Sequence, residues 1–362
     1  MTVFLSIVIP TFNRATDLEL TFASLLEQDY SHYEIVVVDN GPSTDGTRTL
    51  VERVCGRHPQ EVRYYRTTLA GVTYARSLGN LLARGNVIVQ VDDDISLLDT
   101  SALSRTAAIF DRFPDVDMLG GLELRGQSLD DVRAQVACFG ACATADLHKQ
   151  DEYQKGIGRV DGFYGLTRGW PVIASQPEGL YRIDACRSCY LAYRRVVLER
   201  TGNWDGNYTR VGTKGSLREE TDFLVRARAC GFRLYYTNHV SFWHRIAQRD
   251  SSLPPRATKR NRKVQRDYAA AHSYMAVKAM LEAREWLKLP VWAFVQLFFG
   301  RSASPGAAIL IRDGKVSALP FQIIGFMGGV WVAMTRDREL LQSAEEWLLT
   351  DSGADTEAEG SA

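Results

Sequence analysis

The chain lacks any surplus of charge. Lys and Arg together number 43, and so do Asp and Glu, among 362 residues. No basic field is present to recruit nucleic acid, and nucleic acid is excluded as a partner. Nor does the opening stretch read as a secretory leader. MTVFLSIVIPTFNR holds a short apolar run with no basic residue before it, and the run goes straight into a turn. That is the pattern of a first strand, and it sets the expectation of a cytoplasmic protein with reduced cysteines. No Gly-x-Gly-x-x-Gly follows this run and no P-loop lysine motif occurs anywhere, which excludes a standard NAD or ATP site. Nor does a Gly-rich loop with Arg or Lys follow it, which counts against a sugar nucleotidyltransferase.

Cysteine is sparse, with six in all. Cys138/Cys142 and Cys186/Cys189 are two close pairs, as a four-thiolate zinc site has. They stand among small and apolar residues (VACFGAC, DACRSCYLAY) without Gly-rich knuckle turns. The expectation is buried free thiols.

What is present is a dense apolar stretch, Val87 to Ile95 (VIVQVDDDI), carrying Asp92, Asp93 and Asp94. Such a run suits a strand buried on both faces of a parallel sheet. Three adjacent carboxylates repel one another and lose solvation. A divalent cation with hard oxygen ligands relieves that cost, and Mg2+ or Mn2+ usually binds through one or two carboxylates plus phosphate oxygens. The alternative is a solvated acidic turn. Before this stretch, apolar runs alternate with helical patterns. Strands are expected at Leu5–Ile9, Tyr33–Asp39 and Val62–Arg66. Helices are expected from a Thr16 or Asp17 cap to Asp29, from the 40–47 turn to Val54, and over Thr73–Arg84. This is the βαβ signature of an α/β fold with a parallel sheet.

Four segments, SIVIPTFNR, VVVDNGPSTDGT, LAGVTYARSLGN and VIVQVDDDI, resemble in order and spacing the N-terminal half of a family 2 glycosyltransferase with the GT-A fold. The resemblance implies a central, mostly parallel sheet flanked by helices. It implies nucleotide contacts at Pro10, Thr11, Asn13, Arg14 and Asp39. Gly71 to Asn80 would lie along the nucleotide, with Arg76 approaching its diphosphate. Asp92 would face the ribose, with Asp93 beside it, and Asp94 would hold the metal. For Thr11 and Asn13 turn chemistry is the alternative, and for Arg76 it is a surface position on a helix.

The second half carries the remaining motifs. Tyr193-Arg194-Arg195 and Trp204-Asp205 fill the family's aromatic-Arg-Arg and aromatic-Asp places, while Tyr190 stands where the family often has Asn. Arg218-Glu219-Glu220-Thr221-Asp222-Phe223 matches a Gly-Glu-Asp-x-Asp-Phe pattern whose middle acid is the general base. The resemblance therefore implies Glu220 as catalytic base and Asp222 as a second acid at the site. Acids also favour a helix N-terminus for electrostatic reasons alone. Phe232 to Trp243 reads as a strand ending on His244, which the resemblance makes a metal ligand beside Asp94. Residues 126–180, rich in Gly with Tyr153, Phe163, Tyr164 and Trp170, read as an acceptor-binding loop, with small satellite packing as the alternative.

Arg256 to Arg266 holds six basic residues in eleven, ahead of a helix at about Asp267–Leu287. LPVWAFVQLFF (289–299) and LPFQIIGFMGGVWVAM (319–334) are apolar and aromatic. A basic stretch beside such segments suits a membrane-surface anchor; a helical appendage on the catalytic domain is the alternative. The expected organisation is a GT-A domain at 1–250, with nucleotide half 1–95 and acceptor half 96–250. A helical region at 251–350 and an acidic, disordered tail at 351–362 follow. The expected activity is metal-dependent, inverting transfer of a sugar to a hydroxyl. The donor is a UDP-, dTDP- or GDP-linked sugar and the acceptor a carbohydrate or lipid-linked molecule, in cell-surface polysaccharide or glycolipid synthesis. A non-catalytic nucleotide-sugar-binding protein is the other alternative, because Glu220 stands where the family has Asp.

Overall fold

A computed structural model describes residues 2–41, 43–126, 128–136, 147–152, 158–160, 167–168, 178–212, 217–245, 262–300 and 305–337. Tyr153, Phe163, Tyr164, Trp170, Cys138, Cys142, residues 256–261 and the acidic tail lie outside them.

The first strands form where Val and Ile are densest: β1 (Leu5–Thr11), β2 (Tyr33–Asn40), β3 (Val62–Thr67) and β4 (Val87–Val91). They pair in parallel in the order β3-β2-β1-β4, with Thr11 level with Asp39. Helices α1 (Ala15–Leu26), α2 (Thr47–Arg57) and α3 (Val72–Leu82) make the crossovers. Alternate strand residues face opposite layers, as the pleat requires. Ile7, Ile9, Ile35, Val37, Val89 and Val91 join Leu18, Phe22 and Leu25 of α1 in one core. Val8, Val36, Val38 and Ile88 join Ala75 and Leu78 of α3 in the other. Gly79 lets α3 lie on β1, since a Cβ there would meet Val8 Cγ1 at 2.2 Å.

The acid-bearing stretch is not one strand. β4 stops at Val91, and after the triad β5 (Ile95–Leu97) pairs antiparallel with the stretch Phe242 to His244. The chain then continues as helix α4 (Ala102–Arg112), β6 (Met118–Leu124), α5 (Leu129–Val136), β7 (His148–Gln150), β8 (Arg159–Val160) and β9 (Thr167–Arg168). The remaining elements are β10 (Gly179–Ile183), β11 (Tyr190–Arg194), α6 (Arg195–Thr201), α7 (Glu219–Ala229) and β12 (Leu234–His244). The sheet runs on from β4 as β11-β6-β12-β10-β7. β11 lies antiparallel between β4 and β6, so the sheet is parallel in its first half and mixed in its second.

Four helices complete the described chain: α8 (Arg262–Glu282), α9 (Lys288–Phe299), α10 (Ala307–Arg312) and α11 (Leu319–Met334). α8 starts earlier than expected, taking in residues of the basic stretch. It lies close to α11 because Gly325 and Gly329 face it. A Cβ on either would meet the carbonyl oxygens of Arg266 or Ala270 at 2.2 and 2.1 Å. Tyr208 and Val211 of the 3-10 turn Gly206–Val211 pack with Tyr274, Trp292 and Val332, which joins this helical unit to the sheet domain. Val316–Met334 is long and apolar enough to cross a membrane, with about a third of it buried inside the protein.

Candidate active site

β1, β2 and β4 are parallel neighbours, so their carboxyl ends share one edge of the sheet, where open α/β folds bind ligands. Asp39 is fully buried there. Its carboxylate accepts hydrogen bonds from the Ser43 amide (3.1 Å), the Ser43 hydroxyl (2.7 Å) and the Tyr64 hydroxyl (3.0 Å). Burial and the nearby Asp39 charge push the Tyr64 phenol up. Asn13 adopts a left-handed conformation (φ 53°), and its side-chain oxygen accepts from the Thr44 amide at 2.7 Å. The turns after β1 and β2 are thereby fastened together. Pro10 lies opposite Val38 in the ladder, and the Gly71 amide donates to Asn40 Oδ1 at 2.6 Å.

The triad is a turn pinned through its backbone. The Asp92 amide donates to the Cys189 carbonyl (3.1 Å), and the Asp93 carbonyl accepts from the Thr21 hydroxyl (2.8 Å). The Arg245 amide donates to the Asp94 carbonyl (2.8 Å), while its guanidinium reaches the Asp17 carbonyl (2.7 Å). The three side chains then diverge. Asp92 Oδ1 accepts from Arg76 Nη2 at 2.7 Å. Asp93 accepts from Thr11 Oγ1 at 2.9 Å and lies 3.4 Å from Arg14. Asp94 lies 3.0 Å from Arg14 and 3.3 Å from His244 Nε2. Burial pushes the Asp93 carboxyl up to about 7, against the opposing pull of Arg14. Burial acts the same way on Asp94, but His244 and Arg14 outweigh it and hold that carboxyl low.

A donor set suited to a divalent cation is present. One ligand atom each from Asp92, Cys189 and His244 lie within 4.8 Å of one another, with Asp94 against the same imidazole. His244 Nδ1 lies 2.8 Å from Glu123 Oε1. A carboxylate on the second ring nitrogen is how metal-bound imidazoles are generally oriented. Burial disfavours the imidazolium, yet the hydrogen bonds to Asp94 and Glu123 lift His244 to about 10. Burial also keeps the Cys189 thiol well above its usual pKa, so it stands as a neutral wall beside the oxygen and imidazole donors. Cys186 and Cys189 are free and buried, as expected of thiols in a core. Glu123, Ser188 and the placement of Cys189 were not anticipated. The one sequence signal for Glu123 is a lone acid in the apolar strand MLGGLEL.

On the α7 side, Arg218 (φ 68°) turns the chain into the helix. Glu219 is buried with Oε1 3.7 Å from Arg76 Nη1. Burial, and next the Glu220 charge, push the Glu219 carboxyl well above the usual range. Glu220 follows it, half-buried. Arg76 thus stands between strand-end and helix-start acids. It also donates to Ser188 Oγ at 2.6 Å and lies 4.8 Å over the Trp204 ring. Asp222 is engaged elsewhere: its carboxylate lies 2.7 Å from Lys278 and 2.9 Å from Arg226. Lys278 also holds Asp205 at 2.7 Å. Tyr190 is buried, with its hydroxyl 2.7 Å from Thr106 Oγ1.

Residues 6–142 match the family model described as "Glycosyl transferase family 2". Over that stretch the chain is similar to family 2 glycosyltransferases. A PGL/p-HBAD biosynthesis glycosyltransferase of Mycobacterium tuberculosis is 32% identical over 116 residues, covering 32% of this chain and 45% of the relative. The GalNAc(5)-diNAcBac-PP-undecaprenol beta-1,3-glucosyltransferase of Campylobacter jejuni is 32% identical over 102 residues, covering 28% of this chain and 32% of the relative. The chain therefore spans about half the length, or less, of these curated relatives. Among solved structures, the mannosyltransferase PcManGT of Pyrobaculum calidifontis, in complex with GDP-Man and Mn2+, superposes with a TM-score of 0.50 at 18% identity. That match covers 91% of this chain and 88% of the other. TarS of S. aureus superposes at 0.52 with 15% identity, over 95% and 55% of the two chains. These likenesses give the fold, which is of the GT-A type with a helical C-terminal region.

Proposed function

We propose that this domain catalyses metal-dependent, inverting transfer of a sugar from a nucleotide-diphosphate donor (UDP-, dTDP- or GDP-linked) to a hydroxyl of a carbohydrate or lipid-linked acceptor. One observation carries the reading. Carboxylates at the β4 end meet His244 on one side and, through Arg76, the acids at the start of α7 on the other. Asp39 and the fastened turns of Asn13 and Ser43 form the wall for base and ribose. Arg14 and Arg76 offer positive charge to the diphosphate. Asp94 and His244, with Asp92 alongside, are the residues that would hold Mn2+ or Mg2+. Such a cation offsets the negative charge of the leaving diphosphate. Glu220, half-buried at a helix start, takes the proton of the acceptor hydroxyl as that oxygen attacks the anomeric carbon. Asp222 keeps α7 in place through Lys278.

The undecaprenol-linked acceptor in the Campylobacter relative's name supports the lipid-linked class, and GDP-Man and Mn2+ in the PcManGT complex support the donor and ion classes. We extend the reading to location: residues 1–250 carry out transfer in the cytoplasm while residues 251–350 rest on the inner face of the cell membrane. Of the seventeen large apolar side chains exposed among the described residues, thirteen lie between Trp286 and Met334, and a cluster of that kind marks an interaction surface.

The test is a panel of nucleotide sugars incubated with the protein, with and without Mn2+. Metal-dependent release of a nucleoside diphosphate from one donor is expected. Binding without release supports the non-catalytic alternative, and exchange of pyrophosphate with a sugar phosphate supports the nucleotidyltransferase.

A further inference from the structure

Away from the strand ends, α8, α9 and α11 enclose a cavity of about 580 Å³. Its walls include Val277, Leu289, Trp292, Ala293, Phe326 and Val330, and among the described residues Arg336 is the one charged residue lining it. The volume lies within the range of ordinary small-molecule sites, about 300–1,000 Å³. The lining is that of a hydrocarbon site rather than a sugar or nucleotide site, which needs several converging polar groups.

Three features say what occupies it. First, the cavity is continuous with the exposed apolar face, because Trp286 and Met334 line the one and belong to the other. Second, Trp331 is exposed on α11, the helix of membrane-spanning length, and indoles favour the boundary between hydrocarbon and water. Third, Arg336 is only loosely paired. Its Nη2 is 3.7 Å from Glu282, whose own side chain is 46% exposed, and its Nη1 donates to the Ala333 carbonyl at 2.7 Å. A cation in the lining of an apolar cavity suits an anionic head on an apolar chain.

We propose that the cavity takes one hydrocarbon chain of an anionic lipid, with Arg336 meeting the head. The inference deepens the lipid-linked acceptor reading and rests on it for its place in the reaction. The cavity also has a physical route to the active site. Val277 is in its wall, and the next residue, Lys278, holds Asp222 of α7, two residues beyond Glu220. A chain seated against α8 therefore bears on the helix that carries the base.

The full chain is titrated with dansyl-undecanoic acid, followed by dansyl fluorescence, with oleate and oleyl alcohol as competitors. No donor sugar or metal enters, so the result is independent of whether transfer occurs. Saturable binding of one probe per chain is expected, with oleate the better competitor. Ala293→Phe, which fills the cavity, should weaken binding about tenfold or more at unchanged melting temperature. Val330→Phe fills it from α11 and serves in its place if Ala293→Phe does not fold. Arg336→Gln should bring oleate and oleyl alcohol level. The proposal is overturned by absence of saturable binding, or by equal binding in the filled variants, which means adsorption to the outer face only. Binding that appears only when the chain is ended after Asp337 also overturns it, since the protein's own tail is then the occupant. Persistence of the oleate preference in Arg336→Gln overturns the assignment of the head.

Discussion

Arg76 Nη2 lies 2.7 Å from Asp92 Oδ1, while Nη1 of the same guanidinium lies 3.7 Å from Glu219 Oε1. One buried cation therefore joins the strand that presents the triad to the helix that carries Glu219 and Glu220. Removing it leaves Glu219 buried without its cation, and such losses cost about 3–5 kcal/mol. Arg76→Met should lower the unfolding free energy by about 3 kcal/mol in equilibrium urea titrations. Arg76→Lys should fall between, because an ammonium cannot reproduce the fork that serves Asp92 and Ser188 together. A loss under about 1 kcal/mol for Arg76→Met contradicts the bridging role, being no more than a surface pair is worth.

The two adjacent glutamates separate by environment. Glu219 is buried against Arg76, and Glu220 is its more open neighbour. Glu220→Gln should slow transfer by about a hundredfold or more, the size of a lost general base, with nucleotide affinity retained. Glu219→Gln should cost less than that in rate and more in stability. If the order of the two rate effects is reversed, Glu219 is the base.

Glu123 is expected to act on the metal through His244. Glu123→Gln should weaken Mn2+ binding by about 10–100-fold, read by calorimetry, the range seen when the partner of a ligating imidazole is lost. His244→Ala should weaken it further. Unchanged Mn2+ affinity in Glu123→Gln would show that the 2.8 Å contact to His244 is structural alone.

The junction with the helical unit should be acid-sensitive. Burial opposes ionisation of Asp205, but Lys278 and then Tyr274 and Asn207 hold its carboxyl down at about 2. The folded value is thus below the unfolded one, near 3.9. The stability it contributes is complete above about pH 4 and is lost as pH falls from about 4 to about 2, by roughly 2 kcal/mol. Asp205→Asn should be less stable than wild type at pH 7, with the difference shrinking as pH falls through that window. Melting temperatures of the two proteins measured from pH 7 to pH 2 check this, and parallel curves contradict it.

The features legible in the sequence were those encoded locally. Dense Val and Ile marked β1, β2 and β4, and the four motifs brought Asp39, Asp92, Asp93 and Asp94 to one edge because parallel strands share an end. Contacts set by distant residues were less legible. α1 was expected to be capped by Thr16 or Asp17, yet it starts at Ala15, whose amide donates to Asp45 of the next turn, while Asp17 is drawn to Arg14. β11 sits antiparallel between β4 and β6, and nothing within YLAYR announces that Tyr190 pairs with Val91 on one side and Leu191 with Gly120 on the other. Glu123 and His244 lie 121 residues apart, so only the fold shows that they touch. Asp222 had the spacing of a site acid, but α8 brings Lys278 to it, and that helix carries no motif.

The central claim is that the aspartates after β4 hold a cation that in turn holds a diphosphate. Calorimetric titration of UDP, dTDP and GDP into the protein, with and without Mn2+, tests it directly, with Asp94→Asn as the control. Mn2+ should tighten at least one of the three by about tenfold or more, and Asp94→Asn should remove that gain. Equal affinities with and without Mn2+ for all three nucleotides would contradict the account.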